Sequence, residues 1–176
     1  MDISDKKPWQ DFPYKSPRDW QNEVRPIALN AINKGTPSIV SAVMGVGKSV
    51  VIAEVCNSLS LDREEIIIVT TPTVRLVNQL YDSITQRIPS RHVGKFYTHE
   101  QSISPITVCC MRSAVKLGGK LNNIPRHCAL WIADEAHKTE CETMHEAKGY
   151  LEPQSMIGFT ATPFRSEKNE ELSLWH

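Results

Sequence analysis

This sequence lacks a surplus of charge of either sign: 20 lysines and arginines balance 20 aspartates and glutamates. No global basic field advertises a nucleic-acid partner, so any such contact must be local. Paired metal-binding cysteines are missing too. Cys56, Cys109, Cys110, Cys128 and Cys141 form no C-x-x-C pair and have no histidine at zinc spacing. An odd number in this pattern argues against a disulfide framework and for a reducing compartment, with Cys109 and Cys110 reading as small buried residues. No apolar run approaches the roughly 20 residues that a membrane-spanning helix needs. The start, Met1 to Lys7, has neither a secretory core nor the arginine-rich, acid-poor character of an organelle presequence. Together these absences lead to the expectation of a cytoplasmic protein, or a nuclear one if the source is eukaryotic. Internal repeats and low-complexity tracts are also absent, and a chain of 176 residues is expected to form one domain with a sizeable core.

What the chain does have is an alternation of short apolar, β-branched runs with helical stretches. Ser38–Val43, Glu65–Thr71, Ile106–Met111, Ala129–Ala133 and Met156–Phe159 read as strands of the buried kind. A further short strand is expected from His92 to Tyr97. Helical stretches are expected at Val50–Cys56 and Val74–Ile88. The alternation predicts an α/β fold, a mostly parallel sheet with helices on both faces. Residues 118–128 read as a Gly/Asn/Pro connection. Residues 1–17 carry Pro8, Pro13 and Pro17 with Trp9, Phe12 and Tyr14 between them and read as an extended arm leading into a domain at 18–176. Its aromatics either pack on the domain or stack on a base.

The run Ala42-Val43-Met44-Gly45-Val46-Gly47-Lys48-Ser49 follows the first strand and precedes a helix. A strand, a glycine-containing turn and a helix N-terminus make an anion site from convergent N–H groups and the helix dipole. In that chemistry Gly45, Val46, Gly47, Lys48, Ser49 and Val50 wrap a nucleotide's phosphates. Lys48 reaches the β- and γ-phosphates, and the Ser49 hydroxyl ligates Mg²⁺. The strict pattern G-x-x-x-x-G-K-[ST] is not met, because Ala42 stands at its first glycine. The alternative is an ordinary strand–turn–helix with a solvated lysine.

Asp134-Glu135-Ala136-His137 follows the apolar run Ala129–Ala133, which puts both carboxylates at the carboxyl end of a strand, where open α/β sheets place their ligands. Asp134 suits a Mg²⁺ site, through water. Glu135 suits the orientation or deprotonation of a water attacking the γ-phosphate. A bare Asp-Glu pair is more often a solvated helix start; the strand before it and the phosphate loop upstream sharpen the reading.

Taken in order, these motifs resemble the first RecA-like lobe of a superfamily 2 helicase or translocase of the DEAH type. The resemblance lies in the branch shared with type III restriction subunits and RecG-like or Rad25-like enzymes, and runs from Arg18 to Arg165. It implies a RecA-like P-loop NTPase lobe that uses ATP and Mg²⁺ and couples hydrolysis to movement on DNA, or less readily RNA. Arg18 and Gln21 are similar to the family's adenine-reading residues. The other reading of Trp20 and Gln21 is the start of an amphipathic helix with Trp20, Val24, Ile27, Ala28 and Ala31 on one face. Pro72, Thr73, Arg75 and Gln79 resemble a motif that touches one nucleic-acid strand, and Arg112 and Ser113 resemble the next; for any one of them a helix cap or a solvated charge is the alternative. Thr160 and Thr162 resemble the motif coupling hydrolysis to strand movement, with His137 in contact with it. Arg112, Lys116, Lys120 and Arg126 read as a solvated basic face.

The family also needs a second RecA-like lobe, which supplies arginine fingers, and no such motif follows in this chain. The expectation is therefore a fragment of a longer enzyme, with the second lobe in the same longer chain or in a partner, and with little or no activity alone. An arginine finger contributes about 10³–10⁵ in rate in related NTPases. The competing function is a non-motor ATP-binding switch or adaptor acting through a partner chain.

Overall fold

A computed structural model describes residues 19–43, 45–139 and 142–161. The expected arm at 1–17, together with Arg18, Cys141, Thr162 and Pro163–Arg165, lies outside the described residues. Among the described residues, β1 (Ser38–Ser41), β2 (Glu65–Thr71), β3 (Val93–Tyr97), β4 (Glu100–Gln101), β5 (Ile106–Cys110), β6 (His127–Asp134) and β7 (Ser155–Thr160) form one sheet. Its order is β1-β7-β6-β2-β5-β3-β4. Every pairing is parallel except the short β3–β4 hairpin. The α/β expectation holds.

Period-two alternation inside the apolar strands sorts their side chains into two cores. Ile67, Val69, Val108, Leu130, Ile132 and Phe159 pack with α1 (Asp19–Asn33), α2 (Lys48–Ser58) and α3 (Val74–Thr85) on one face. Ile66, Ile68, Cys109, Trp131 and Ala133 pack with α4 (Met111–Leu121) and α6 (Glu142–Leu151) on the other. A strand covered on both faces must be apolar at every position, which is why these runs look continuous rather than alternating. Trp131 can sit fully buried because its indole N–H donates to Thr70 Oγ1 at 2.9 Å.

Several boundaries differ from the sequence reading. Met111 is the first residue of α4, not the last of β5, because Cys110 is its extended cap; periodicity cannot separate a buried strand end from a buried first turn. Gly118 and Gly119 lie within α4, so the connection starts at Asn122. The third helix stops at Thr85, where the Gln86 N–H folds back onto the Asp82 and Ile84 carbonyls. In α1 the buried stripe is Gln21, Ala28, Leu29 and Ile32, with Trp20 and Val24 partly covered, while Ile27 is exposed. The short strand β4 has no counterpart in the sequence reading.

Candidate functional site

The strand order assembles the motifs at the carboxyl edge of the sheet. Because β7 lies between β1 and β6, the phosphate loop and the acidic tetrad flank Thr160. Ser41 pairs with Thr160, and the Ala42 N–H donates to the Thr160 carbonyl at 2.8 Å. Ala42 thus continues the ladder and has no positive φ, so no glycine is needed at the position where the strict motif has one. Gly45 and Gly47 do need to be glycine, with φ of 80° and 90°; a β-carbon in this left-handed region costs roughly 1–2 kcal/mol. Gly47 caps α2, and the Val50 N–H bonds back to its carbonyl at 3.0 Å.

Lys48, the first residue of α2, is only 9% exposed. Its Nζ lies 3.2 Å from Glu135 Oε1, at an angle that makes no hydrogen bond, and it has no hydrogen-bond acceptor among the described residues. A buried ammonium with unused donors is costly, and an anionic oxygen is the group that satisfies it. Glu135 itself holds φ of 52°, a left-handed conformation that for a non-glycine residue stores about 1–3 kcal/mol and clusters at working sites. This turn aims the carboxylate two ways: Oε1 at Lys48, and Oε2 at His137 Nδ1, 3.5 Å away. The same His137 nitrogen lies 2.6 Å from the Thr160 hydroxyl. A short chain of polar atoms therefore runs from Lys48 through Glu135 and His137 to Thr160.

A cavity of about 370 Å³ opens beside this chain, lined by Gly45, Gly47, Lys48, Ser49, Asp134 and Glu135, and across from them by Leu76, Gln79, Leu80 and Ser83 of α3. The donor set fits a phosphate with a Mg²⁺ ion. Ser49 and Asp134 share the wall, and no cluster of three or more metal-ligating side chains exists among the described residues. Mg²⁺ typically takes one or two protein oxygens and completes its shell with water and substrate phosphate.

Of the expected base-reading pair, Gln21 is buried, and its Nε2 lies 3.3 Å from the Val46 carbonyl and 3.2 Å from the Gly47 carbonyl. Its neighbour Trp20 donates its indole N–H to the same Val46 carbonyl at 2.9 Å. Neither residue lines the cavity; both face the back of the phosphate loop.

Thr71 and Cys110 are register partners, so the segments after β2 and β5 emerge side by side, with Cys110 Sγ 3.6 Å from the Pro72 carbonyl. Pro72, Thr73, Arg112 and Ser113 are thereby brought to one part of the carboxyl edge. Thr73 also caps α3, its hydroxyl accepting the Leu76 N–H at 3.4 Å. Arg75 is exposed on the first turn of α3, whereas Gln79 one turn on lines the phosphate cavity. Ser83, one further turn along the same face, was missed. Spacing of four on a helix was the signal that could have found it. In the basic face, Lys120 is held by Gln101 Oε1 at 2.7 Å and lies 5.4 Å from the Phe96 ring centroid. Arg112 and Lys116 are exposed. No helix among the described residues is long and apolar enough to cross a membrane.

The chain is 27% identical over 156 residues to the protein named "Putative helicase 109L" of Invertebrate iridescent virus 3, covering 85% of this chain and 46% of that protein. The chain thus spans about half the length of this relative. Among solved structures it resembles the Sulfolobus solfataricus SWI2/SNF2 ATPase core in complex with dsDNA, at a TM-score of 0.76 and 15% identity, over 92% of this chain and 35% of that one. It also resembles the UvsW helicase from Bacteriophage T4, at a TM-score of 0.65 and 15% identity, over 92% of this chain and 58% of that one. A nuclease-deletion mutant of the Type ISP restriction-modification enzyme LlaGI, in complex with a DNA substrate mimic, follows at a TM-score of 0.68 and 14% identity, over 90% and 19% of the respective chains. At these identities the structures establish the RecA-like fold. Residues 14–165 match the family described as "Type III restriction enzyme, res subunit", and the chain belongs to that family of superfamily 2 helicase-type lobes.

Proposed function

We propose that this chain is the ATP-binding and hydrolysing lobe of a motor that moves on nucleic acid, with DNA the favoured track. The observation that carries this reading is the buried Lys48 ammonium, 3.2 Å from Glu135 and on the wall of a cavity shared with Ser49 and Asp134. A bound triphosphate gives Lys48 the acceptors that it lacks among the described residues. It also parts Lys48 from Glu135, leaving the carboxylate to orient a water and take its proton. Ser49 and Asp134 would hold a Mg²⁺ ion, which would supply charge neutralisation to the phosphates. His137 holds the other Glu135 oxygen and contacts Thr160, so a change at the phosphate end reaches the Thr160 strand end.

In this reading Pro72, Thr73, Arg112 and Ser113 form the local nucleic-acid contact, through hydroxyl and backbone groups as much as charge. Gln79 belongs instead to the nucleotide cavity. The remaining positive charge on the γ-phosphate comes from a second RecA-like lobe, on a longer chain or on a partner.

Titration with a fluorescent ATP analogue and Mg²⁺ tests the nucleotide part. Lys48→Ala removes charge-assisted hydrogen bonds worth about 1.5–3 kcal/mol, so affinity falls about 10- to 150-fold. Unchanged affinity contradicts the site.

A further inference from the structure

Two side chains of α1 face the back of the phosphate loop, and neither lines the cavity that would hold the phosphates. The Val46 carbonyl lies 2.9 Å from Trp20 Nε1 and 3.3 Å from Gln21 Nε2, and the Gly47 carbonyl lies 3.2 Å from Gln21 Nε2. The fit is close: a β-carbon at Gly47 would lie 2.6 Å from Gln21 Nε2. We propose that Trp20, with Gln21, is a positioning residue for phosphate binding: it clamps the loop from behind and presets its N–H groups toward the triphosphate, independently of the base.

Peptide geometry sets the direction of the loop's N–H groups. A trans peptide is planar, and its N–H points opposite to its C=O. The Val46 carbonyl shares a plane with the Gly47 N–H, and the Gly47 carbonyl shares one with the Lys48 N–H. With both carbonyls tied to α1, both N–H groups point away from α1, toward the side on which Lys48 and Ser49 line the cavity. Gly45 and Gly47 make the loop pliable, with φ of 80° and 90°. Two carbonyls tied to one helix end restrict that freedom before any ligand arrives. Binding then costs less ordering entropy, which is the general benefit of preorganisation. Trp20 suits the task because its indole donates a single hydrogen bond and accepts none, while its ring packs against the core.

This inference rests on the nucleotide-site reading and separates from it by experiment. Inorganic tripolyphosphate has the phosphates of ATP and no base. Its affinity and that of ATP, each with Mg²⁺, are measured by calorimetry on the 176-residue chain, on Trp20→Phe, which keeps the ring and removes the N–H, and on Gln21→Ala. Loss of one hydrogen bond of ordinary strength predicts that Trp20→Phe weakens both ligands by the same factor, about 2- to 12-fold. Gln21→Ala is expected to act likewise. In amide NMR spectra without ligand, the Gly47 and Lys48 resonances move or broaden in both variants, while amides of β2 and β6 stay in place; a merely structural loss of stability would disturb those strands as well. A variant that weakens ATP but leaves tripolyphosphate unchanged is contacting the base, and overturns the clamp. So does Trp20→Phe with wild-type affinity for both ligands. If the wild-type chain binds neither ligand, the nucleotide-site reading falls and the clamp falls with it.

Discussion

Glu135 Oε1 stands 3.2 Å from Lys48 Nζ although β7 separates their parent strands. Two features make the contact possible. The phosphate loop carries Lys48 into the first turn of α2, and the left-handed backbone at Glu135 turns its side chain away from the β6 line. The base expected to handle the attacking water is thus held by the cation expected to hold the phosphate. The ion pair holds both side chains at the wall of the cavity.

The Thr160 hydroxyl, fully buried and 2.6 Å from His137 Nδ1, is the far end of the same chain of polar atoms. Thr160→Val keeps the shape and removes the hydrogen bond. A stability loss of about 1 kcal/mol is expected from urea unfolding. A double-mutant cycle with His137→Ala should recover a coupling of at least about 0.5 kcal/mol. Strict additivity would show that the contact carries no energy.

Glu54, on α2, is 1% exposed and pairs with buried Arg87 at 3.3 Å and with Arg25 at 3.9 Å. This ties α1 and α2 to the segment that follows α3 on one face of the sheet. Glu54→Gln leaves the Arg87 guanidinium without its carboxylate, a change that typically costs about 3–5 kcal/mol. Against a typical total of about 5–15 kcal/mol, the melting temperature should drop by many degrees. A shift of only a degree or two would mean that the pair is solvated after all.

At Gly118 a β-carbon would stand 2.7 Å from Tyr150 Cβ and 3.0 Å from its carbonyl carbon. The glycine is what lets α4 and α6 approach so closely. Gly118→Ala forces the helices apart, and overpacking of this kind costs about 1–3 kcal/mol, more than the helix propensity that alanine would add. Chemical denaturation reads the sign directly, and stabilisation would refute the tight packing.

Burial pushes the Cys56 thiol up to about 12, and pushes Cys109 and Cys128 higher still. The folded state therefore disfavours the thiolate that the unfolded chain forms above its ordinary value of 9.0. Stability from this source is complete below pH 9 and declines as pH climbs toward 12. The decline is at most about 1.4 kcal/mol per pH unit for each thiol. Urea midpoints at pH 7.5 and 10.5 should differ in that direction, and by less in Cys56→Ala. At pH 8 these thiols should resist a disulfide reagent until denaturant is added.

Much of this was legible in the residues. Glu65–Thr71 forms a strand with the expected bounds, because seven buried positions in a row leave no room for another reading. The phosphate loop and the Asp134 tetrad could be placed at strand ends because a short apolar run precedes each. What could not be read was the third dimension. Nothing local says that β7 inserts between β1 and β6, which is what lets His137 reach Thr160; that contact was expected from the family resemblance alone, and the structure has it. The buried stripe of α1 also escaped, since Gln21 is a polar residue buried by its bonds to the phosphate loop, and hydrophobic periodicity does not count such residues. For Gln79 the likeness to a nucleic-acid motif gave one direction, and the cavity lining now gives another.

If this lobe hydrolyses ATP in the service of a nucleic-acid motor, its turnover depends on both nucleic acid and the Glu135 carboxylate. The most direct test is ATP turnover by a form of the protein that includes the second lobe, with single-stranded DNA, duplex DNA or RNA, beside Glu135→Gln. One nucleic acid, most readily DNA, is expected to stimulate turnover, and Glu135→Gln to abolish it while nucleotide still binds. Turnover indifferent to every nucleic acid, or surviving the loss of the Glu135 carboxylate, would contradict the motor reading.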